Sequence, residues 1–299
     1  MCDPGTLSVL SRLNFVSESH ALSYPIRSHL LRMEVWVEKA LASVQTEFQK
    51  IDIVQSPALG KMLFLDGHVQ LATFDERAYH EALVHIPLLC VPHPKRALVV
   101  GGGDGGVLRE LCRHPELEQI DMVEIDGQVI ETCREHLPEL SDGAFDDPRV
   151  HLFLEDAFQF RSKGRGPYDL IVMDITDVYE DEEGELSEQL FTDAFHQDCR
   201  AMLSERGVLV SQADNHVFCP YSQAEIQSTM SRFYSQVGSY HALVPSFGGF
   251  SAYVWCSMGT SVELHSIDRN RLDQLDLVTL NETSLASSFS ELAFGGPGA

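Results

Sequence analysis

Two aspartates stand three residues apart after the apolar run from Leu170 to Met173. The run predicts a buried strand, and open α/β sheets bind ligands just beyond the carboxyl ends of their strands. Asp174 and Asp177 suit an amine substrate there, because an alkylammonium must lose a proton before it can attack. One carboxylate can take that proton while the other pairs with a distant ammonium. Carboxylates at strand ends also cap helices, and this interpretation stays open for both.

A glycine-rich turn, Gly101-Gly-Gly-Asp-Gly-Gly106, follows the apolar residues 97–100 and leads into a helical pattern. Glycines at the end of a first strand let the backbone approach a nucleotide-like ligand closely. The same turn can instead serve only to bring a helix against the sheet. Asp104 inside the turn would repel a pyrophosphate or a ligand carboxylate, so it favours a ligand that presents an ammonium. Turn geometry alone can also account for an aspartate there.

Further acids follow the next two predicted strands. Glu124 ends the second strand about twenty residues after the glycines, where a carboxylate can accept both hydroxyls of a ribose. A helix cap is the other interpretation, although Asp126 is the better cap candidate. Asp156 follows the third strand and can accept from an adenine amine or cap a helix. These residues together indicate a nucleoside ligand with a cationic tail, bound beside an amine.

A parallel sheet is needed to bring these residues together. Strand and helix patterns alternate from residue 97 to residue 173, which predicts an α/β, doubly wound, Rossmann-like sheet. A helix is predicted over residues 224–237. Two strands near residues 242–244 and 252–256 follow it without a clear helix between them. We expect these two strands to pair as an antiparallel hairpin at the sheet edge.

A smaller β domain is predicted upstream of this sheet. Residues 49–71 alternate as strands do, and Asp66-Gly67 between apolar runs is typical of a tight hairpin. A helical pattern over residues 76–88 follows. We therefore divide the chain into a partly helical N-terminal extension at 1–34, a β-strand and hairpin domain with its linking helix at 35–88, and a catalytic domain at 89–299.

Composition restricts the partners of the protein. The 299 residues include 21 Lys+Arg against 45 Asp+Glu, and the formal charge of −24 argues against a nucleic-acid ligand. A cationic ligand fits this charge, although an acidic surface or a salt-adapted source would produce it too. No apolar run approaches the ~18 residues of a membrane span, and the start lacks a secretory signal pattern. With seven cysteines and no C-x-x-C pair, we expect a cytoplasmic protein without disulfides.

The motifs as a set resemble the spermidine synthase family of polyamine aminopropyltransferases, over roughly residues 35–257. The resemblance is carried by Gly101-Gly-Gly-Asp-Gly-Gly106, Val123-Glu-Ile-Asp126, Asp156-Ala157, Asp174-x-x-Asp177, Leu65-Asp-Gly-x-x-Gln70 and Tyr79-His-Glu81. It implies a small N-terminal β domain, a class I methyltransferase-like catalytic domain, and a homodimer or homotetramer. It also implies transfer of the aminopropyl group of decarboxylated S-adenosylmethionine to putrescine, which yields spermidine and methylthioadenosine.

The same resemblance implies roles for individual residues. Asp174, assisted by Tyr79, would deprotonate the acceptor amine. The site for decarboxylated S-adenosylmethionine would comprise Gln49, Gly101, Gly103, Asp104, Glu124, Asp156, Ala157 and Asp174. The acceptor site would comprise Gln70, Tyr79, His80 and Asp177. Neither a metal nor a cofactor beyond the nucleoside co-substrate is implied, and the histidines show no metal-ligand spacing.

Three segments depart from the family pattern. An acidic segment at 178–189 replaces a short loop, and it either gathers polycations or is a solvated loop. Phe247 stands where the family usually has a tyrosine whose hydroxyl contacts the acceptor. A longer acceptor such as spermidine, as in spermine or thermospermine synthases, is therefore an alternative to putrescine. Ala72-Thr-Phe74 replaces a Thr-x-Arg motif, and no role is transferred to it.

Two other functions stay open. An S-adenosylmethionine-dependent methyltransferase would share the fold and the position of Glu124, but Asp104, Gln70 and Tyr79 argue against it. A catalytically silent binding protein of the same fold would have no need of Asp174 and Tyr79. The products of a reaction would separate the first of these from an aminopropyltransferase, since one releases S-adenosylhomocysteine and the other methylthioadenosine.

Overall fold

Short antiparallel strands form the N-terminal part of the chain. The computed structural model describes residues 21–27, 30–161, 165–175 and 192–292. A two-stranded sheet pairs β1 (Ala21–Arg27) with β2 (Leu31–Trp36). A four-stranded sheet follows in chain order and consists of β3 (Lys39–Gln45), β4 (Lys50–Ser56), β5 (Gly60–Leu65) and β6 (His68–Ala72).

The tight hairpin predicted at Asp66-Gly67 is confirmed. The two residues join β5 to β6, and both have positive φ, 48° and 85°. Positive φ at both central positions is the backbone form of a type I′ turn, which aspartate and glycine adopt at low cost.

The predicted division at residue 35 falls within β2 and therefore needs correction. Along β1 the apolar side chains of Leu22, Tyr24 and Ile26 are buried. They belong to the same hydrophobic cluster as Phe64 of the four-stranded sheet. The β1–β2 hairpin is thus part of the β domain, and it is strand where a partly helical extension was expected. Residues 1–20 lie outside the described residues.

One long helix, α1 (Glu76–Leu88), links this domain to the rest of the chain, and its span is the predicted one. Eleven of its 13 residues are buried. Its polar residues, Glu76, His80, Glu81 and His85, therefore need partners inside the protein, because an unpaired buried polar group is costly. The predicted division after residue 88 coincides with the last residue of α1.

A seven-stranded sheet forms the larger part of the chain. Its strands are β7 (Arg96–Gly101), β8 (Gln119–Glu124), β9 (Val150–Leu154), β10 (Tyr168–Asp174), β11 (Leu203–Asn215), β12 (Gln236–Val244) and β13 (Gly249–Ser257). Their order in space is β12-β13-β11-β10-β7-β8-β9. The strands from β11 to β9 are parallel, and β13 runs antiparallel to β11 and β12. The predicted α/β sheet and its antiparallel edge hairpin are confirmed.

Helices cover both faces of this sheet. They are α2 (Gly106–Cys112), α3 (Gly127–His136), α4 (Pro138–Ser141), α5 (Ala157–Arg161), α6 (Asp193–Met202), α7 (Pro220–Met230), α8 (Arg269–Leu272) and α9 (Glu282–Ser288). Successive residues of β7 alternate between two apolar clusters: Val99 packs with residues of α1 and α2, and Leu98 with residues of α5 and α6. Within the described ranges, no helix is both long enough and apolar enough to cross a membrane.

Helix α7 ends at Met230, well before the predicted end at residue 237. Residues 236–244 instead pair with β13 along their whole length, beginning with Gln236 opposite Ser257. Phe233 and Val237, which suggested a longer helix, still contact the apolar cluster beside the sheet. Pairing with a neighbouring strand therefore overrides the helical periodicity of this segment.

The segment after the sheet is anchored to the middle of α1. The buried carboxylate of Glu81 accepts hydrogen bonds from the backbone N–H groups of Val278, Thr279 and Leu280, each at 2.8 Å. The Thr279 hydroxyl donates to the same carboxylate at 2.7 Å. Glu81, the last residue of the Tyr79-His-Glu81 motif, thus has a structural partner far along the chain.

Candidate active site

A cavity of about 500 Å³ opens at the carboxyl ends of the parallel strands. Its walls come from the glycine turn after β7, the ends of β8 and β10, and the hairpin of β5 and β6. Open α/β sheets bind their ligands at this edge, where neighbouring loops diverge. Ten of the twelve predicted site residues line the cavity: Gln49, Gln70, Tyr79, Gly101, Gly103, Asp104, Glu124, Asp156, Ala157 and Asp174.

Tyr79 and Asp174 meet in this cavity. Asp174 ends β10, where it pairs with Gly101 of β7, and the hydroxyl of Tyr79 donates a 2.8 Å hydrogen bond to its Oδ1. Burial raises the pKa of Asp174 to about 6, and the nearby charge of Asp104 adds to the rise. The charge of His80 and the hydrogen bond from Tyr79 act in the opposite direction. Asp174 is therefore suited to accept a proton near neutral pH.

The glycines of the turn are needed for two reasons. Gly101 has a φ of 80°, and a Cβ atom there would collide with the carbonyl oxygen of Asp174 on the next strand. A Cβ at Gly103 would lie 3.1 Å from Oε2 of Glu124 and 2.9 Å from a methyl group of Val129. The turn thus keeps its backbone close to the β10 backbone at Asp174 and to the Glu124 carboxylate, as well as bringing a helix close to the sheet.

Asp104 lies at the end of this turn. Its Oδ1 accepts a 2.7 Å hydrogen bond from the backbone N–H of Gly106 and lies 3.5 Å from Nε2 of His80. Asp104 therefore both stabilises the turn and lines the cavity. Both contacts are made by Oδ1, and Oδ2 takes part in neither of them.

His80 lies behind Asp104 instead of in the cavity wall that the described residues form. Its side chain is buried against Gly106, and its Nδ1 lies 2.7 Å from Oε2 of Glu76. Burial by itself lowers the pKa of His80, but the charge of Asp104 and the hydrogen bond and charge of Glu76 raise it to about 9. Direct contact with an acceptor was predicted for His80; the helix instead turns its ring towards the layer beneath the glycine turn.

Glu124 lies at the end of β8 and is almost fully buried. Its Oε1 accepts a 2.8 Å hydrogen bond from the backbone N–H of Asp126. Burial raises the pKa of Glu124 to about 7, in spite of that hydrogen bond, and the charge of Asp126 adds to the rise. A ligand that donates hydrogen bonds to this carboxylate would favour its ionised form.

Asp126 connects the two domains next to Glu124. It caps α3 by accepting from the backbone N–H of Gln128 at 3.1 Å, so the predicted helix-cap role is confirmed. Its other oxygen accepts from the Thr46 hydroxyl at 2.7 Å and from Nε2 of Gln49 at 3.1 Å. Gln49 is thus held at the cavity by a partner from the catalytic domain.

Asp156 and Ala157 lie at the start of α5 on the side of the cavity near Glu124. Oδ1 of Asp156 accepts a 2.8 Å hydrogen bond from the backbone N–H of Phe158, as a helix-capping aspartate does. Phe158 also lines the cavity, and its ring adds an apolar surface of the kind that a nucleobase contacts.

The opposite end of the cavity contains Phe247, which departs from the family pattern, and two residues that the sequence motifs did not indicate. Phe247 lines it, with its ring edge-on to Tyr79 at 5.6 Å between centroids. Asp214 and Asn215 at the end of β11 also line it, and Nδ2 of Asn215 donates to the carbonyl of Phe247 at 2.7 Å. Polar residues directly after a strand at this sheet edge are the signal that could have found them. Asp177 and the acidic segment 178–189 lie outside the described residues.

Three donor groups in this region come close enough together to suggest a metal ion. One atom each of His80, Asp104 and Asp174 lies within 4.8 Å of the other two. Nδ1 of His80 lies 2.7 Å from Oε2 of Glu76, however, and its Nε2 lies 3.5 Å from Oδ1 of Asp104, so both ring nitrogens already face carboxylates. The two carboxylates are better suited to an ammonium group.

Comparison with known proteins agrees with this arrangement. Residues 76–266 match the family model described as the spermine/spermidine synthase domain, and residues 25–73 match the one described as the spermidine synthase tetramerisation domain. This chain belongs to the spermine/spermidine synthase family. The resemblance inferred from the motifs is thereby confirmed.

Relatives of this family member are named polyamine aminopropyltransferases. One from Erwinia tasmaniensis is 39% identical over 248 residues, which are 82% of this chain and 81% of that protein. One from Yersinia pestis is also 39% identical, over 82% of this chain and 78% of that protein. Residues 25–73 of the family match begin within β1, in agreement with the corrected boundary of the β domain.

Solved structures of spermidine synthases have the same fold as this family member. One, in complex with the transition state analogue AdoDATO, superposes with a TM-score of 0.84 at 27% identity, over 95% of this chain and 97% of that one. The spermidine synthase from Thermotoga maritima gives a TM-score of 0.81 at 27% identity, over 95% of this chain and 96% of that one. The class I methyltransferase-like fold with an N-terminal β domain is thus established.

Proposed function

We propose that this chain is a polyamine aminopropyltransferase that moves the aminopropyl group of decarboxylated S-adenosylmethionine to an amine acceptor. The observation that carries the proposal is the pair of carboxylates, Asp104 and Asp174, in one cavity, with Tyr79 bonded to the second. Two negative groups suit two cationic substrates, because each can pair with an ammonium. A pKa of about 6 lets Asp174 accept a proton near neutral pH.

The nucleoside would occupy the side of the cavity near Glu124. There Glu124 would accept from the ribose hydroxyls, with Gln49 beside it, and Asp156 with Ala157 would bind the adenine. Asp104 would hold the ammonium of the aminopropyl arm, close to the glycine turn. Gly103, Asp104 and Glu124 line the same cavity, which supports this order.

The acceptor would lie on the other side of Asp174, next to Tyr79 and Gln70. Its amine loses a proton to the Asp174 carboxylate, and the freed nitrogen lone pair attacks the aminopropyl carbon bound to sulfur. The new C–N bond forms as the C–S bond breaks, and the bonding electrons go to sulfur, which leaves as neutral methylthioadenosine. No acid is needed for this leaving group, so positioning and charge complementarity carry the catalysis.

Putrescine is the acceptor that we propose first, with spermidine as the product. Phe247 lies beside Tyr79 and has no hydroxyl, so it cannot form the hydrogen bond by which a tyrosine at this position would hold an amine. This supports a longer acceptor as the second candidate. Asp177 would anchor the far end of either acceptor.

We further propose an oligomeric enzyme that works in the cytoplasm without a metal or a tightly bound cofactor. The match of residues 25–73 to a tetramerisation domain supports a homodimer or homotetramer. None of the six described cysteines forms a disulfide, which fits a reducing compartment.

Product identification tests the proposal. The purified protein is incubated with decarboxylated S-adenosylmethionine and, separately, with S-adenosylmethionine, each with putrescine, spermidine or no amine. We expect methylthioadenosine and a lengthened polyamine from the first donor. S-adenosylhomocysteine from the second donor would instead indicate a methyltransferase, and no turnover with any pair would leave a binding protein.

A further inference from the structure

A row of buried charges of alternating sign runs from the cavity into the interior of the catalytic domain. From Asp104 it passes to His80 at 3.5 Å, and from His80 to Glu76 at 2.7 Å. Arg109 donates a hydrogen bond to each carboxylate oxygen of Glu76, from Nη2 at 2.8 Å and from Nη1 at 3.1 Å. Nε of Arg109 lies 2.6 Å from Oε1 of Glu110. Only Asp104, at the start of this row, lines the cavity among these five residues.

The inner members of the row are almost completely removed from water. His80 is 1% exposed, Arg109 4% and Glu76 6%. Charges in such a position are tolerated only when each is paired with good geometry. The i,i+4 spacing of Glu76 and His80 along α1 places both on one face of the helix, towards the glycine turn and α2. Nη1 of Arg109 also donates to the carbonyl of Leu140 at 2.8 Å, which fixes the guanidinium on its far side.

His80 has little freedom to move within this row. Its ring lies directly against Gly106, where any side chain would collide with it. Because one ring nitrogen faces Glu76 and the other faces Asp104, an imidazolium can donate to both carboxylates at once, whereas a neutral ring can donate to only one.

Several charged groups act on this pair from different elements. His80 faces Asp104 in the glycine turn and Asp174 on β10. Glu76 is also close to Arg77 and Asp75 of its own segment and to Arg109 of α2. Burial opposes the charge on both residues, but their mutual contact and their other partners outweigh it. The pKa of Glu76 is lowered to about 2 and that of His80 is raised to about 9.

We propose that Glu76, fixed by Arg109, is a positioning residue that keeps His80 an imidazolium, and that His80 in turn holds Oδ1 of Asp104 so that this carboxylate stays correctly oriented. The identity of the ligand group that Asp104 holds, the cationic aminopropyl arm, rests on the proposed function. Glu76 contacts neither substrate in this arrangement, because His80 and Asp104 separate it from the cavity.

The decisive variant is Glu76→Gln, which keeps the shape of the side chain and removes its charge. Glu139→Gln is the matched control, since Glu139 is a half-exposed partner of Lys61 outside the row. The protonation of His80 is followed by NMR of histidine side chains labelled with ¹⁵N, with the signal assigned from a His80→Gln sample. In parallel, kcat and KM for decarboxylated S-adenosylmethionine are measured between pH 7 and 9.5.

In the wild-type protein and in Glu139→Gln we expect the His80 signal to stay protonated up to about pH 8. In Glu76→Gln we expect its midpoint to fall by at least about one pH unit, the size of the effect of losing one close opposite charge. The KM for decarboxylated S-adenosylmethionine should then rise at least about fivefold at pH 9 and much less at pH 7, with kcat changing less than KM. A purely structural role would instead lower activity equally at all pH values.

The proposal is overturned if His80 of the wild-type protein loses its proton below pH 7, a result that needs no variant to fold. It is also overturned if the His80 midpoint is the same in Glu76→Gln, or if the KM change does not depend on pH. Absence of aminopropyl transfer by the wild-type protein would refute the proposed function instead, and the NMR titration would still decide the relation between Glu76 and His80.

Discussion

The hydroxyl of Tyr79 donates a 2.8 Å hydrogen bond to Oδ1 of Asp174, which ties the helix that links the two domains to the end of the central strand β10. The two residues are far apart in sequence, and each comes from a motif that resembles a different part of the family pattern. Their contact brings a proton donor onto the carboxylate proposed as the base. The pKa of that carboxylate therefore depends on the position of α1.

Asp174→Asn should abolish aminopropyl transfer and leave nucleoside binding. An amide cannot take the proton of the acceptor, so we expect kcat to fall by about 10²- to 10⁴-fold. The dissociation constant of methylthioadenosine, measured by calorimetry, should stay within about threefold of the wild-type value. Asp146→Asn on the exposed surface is the control. Full activity of Asp174→Asn would remove the base assignment.

Tyr79→Phe should move the acidic limb of the pH profile. A base at Asp174, as proposed, must be ionised to act, so kcat/KM for the acceptor should rise with pH through the wild-type pKa of about 6 and then level off. The hydrogen bond from Tyr79 lowers that pKa, and its removal should shift the midpoint to higher pH. Tyr240→Phe, which loses a buried hydrogen bond to the carbonyl of Ala82, should leave the midpoint in place. A shift to lower pH in Tyr79→Phe would contradict this account.

The binding of methylthioadenosine should weaken as the pH falls through 7. The pKa of Glu124 in the empty site is about 7, and only its carboxylate form can accept both ribose hydroxyls. Below pH 7 a proton must be released on binding, so the affinity should fall towards about tenfold per pH unit. Calorimetry between pH 5.5 and 8.5 measures this. In Glu124→Gln the affinity should be low and nearly independent of pH, and a persistent slope would assign the effect to another group.

Phe247→Tyr should change the acceptor preference. The ring lies edge-on to Tyr79, so a hydroxyl added to it would reach the acceptor half of the cavity. A hydrogen bond to an ammonium would lower the KM for putrescine by about tenfold relative to that for spermidine. The KM for decarboxylated S-adenosylmethionine should not change. Equal effects on both amines, or none, would show that Phe247 does not determine the acceptor.

Glu81→Gln should destabilise the fold without altering the chemistry. In the variant one carboxylate oxygen becomes an NH2 group. This donor would face the N–H donors of residues 278–280 in a fully buried position. We expect the free energy of unfolding to fall by about 3 kcal/mol, as followed by urea denaturation. Glu282→Gln on the surface is the matched control, and its stability should be unchanged. If Glu81→Gln unfolded at the same urea concentration as the wild-type protein, the hydrogen bonds of Glu81 to residues 278–280 would not stabilise the fold.

The main features of the fold could be predicted from local patterns. The Asp66-Gly67 turn and the full length of α1 follow from short-range chemistry, namely positive φ and helical periodicity. The end of α7 could not be predicted in this way. Residues 236–244 become a strand because β13 offers a partner, and that partner lies later in the chain. The strand β1 was missed for the same reason, since its alternation acquires meaning only against the four-stranded sheet.

The candidate site could be predicted as a set of residues, because Asp104, Glu124 and Asp174 lie at or just after the ends of strands that share one edge of the parallel sheet, and the family resemblance supplied Gln49, Gln70 and Tyr79. The contacts that those residues make with one another could not be predicted. Whether His80 faces the cavity or the interior depends on the rotation of α1 against the glycine turn, which no motif specifies. Likewise the bond between Glu76 and Arg109 joins two helices, and neither residue belongs to a motif that indicated chemistry.

The bond between Glu81 and residues 278–280 has a consequence for biosynthesis. Tyr79 and Glu81 are translated in the first third of the chain, and the backbone groups that Glu81 requires leave the ribosome much later. During elongation the Glu81 carboxylate lacks these partners, because the groups that donate to it have not yet been made. The anchor of α1 is therefore completed only after residues 278–280, 197 to 199 positions further along the chain, have been synthesised, and a nascent chain that stops before them would lack it.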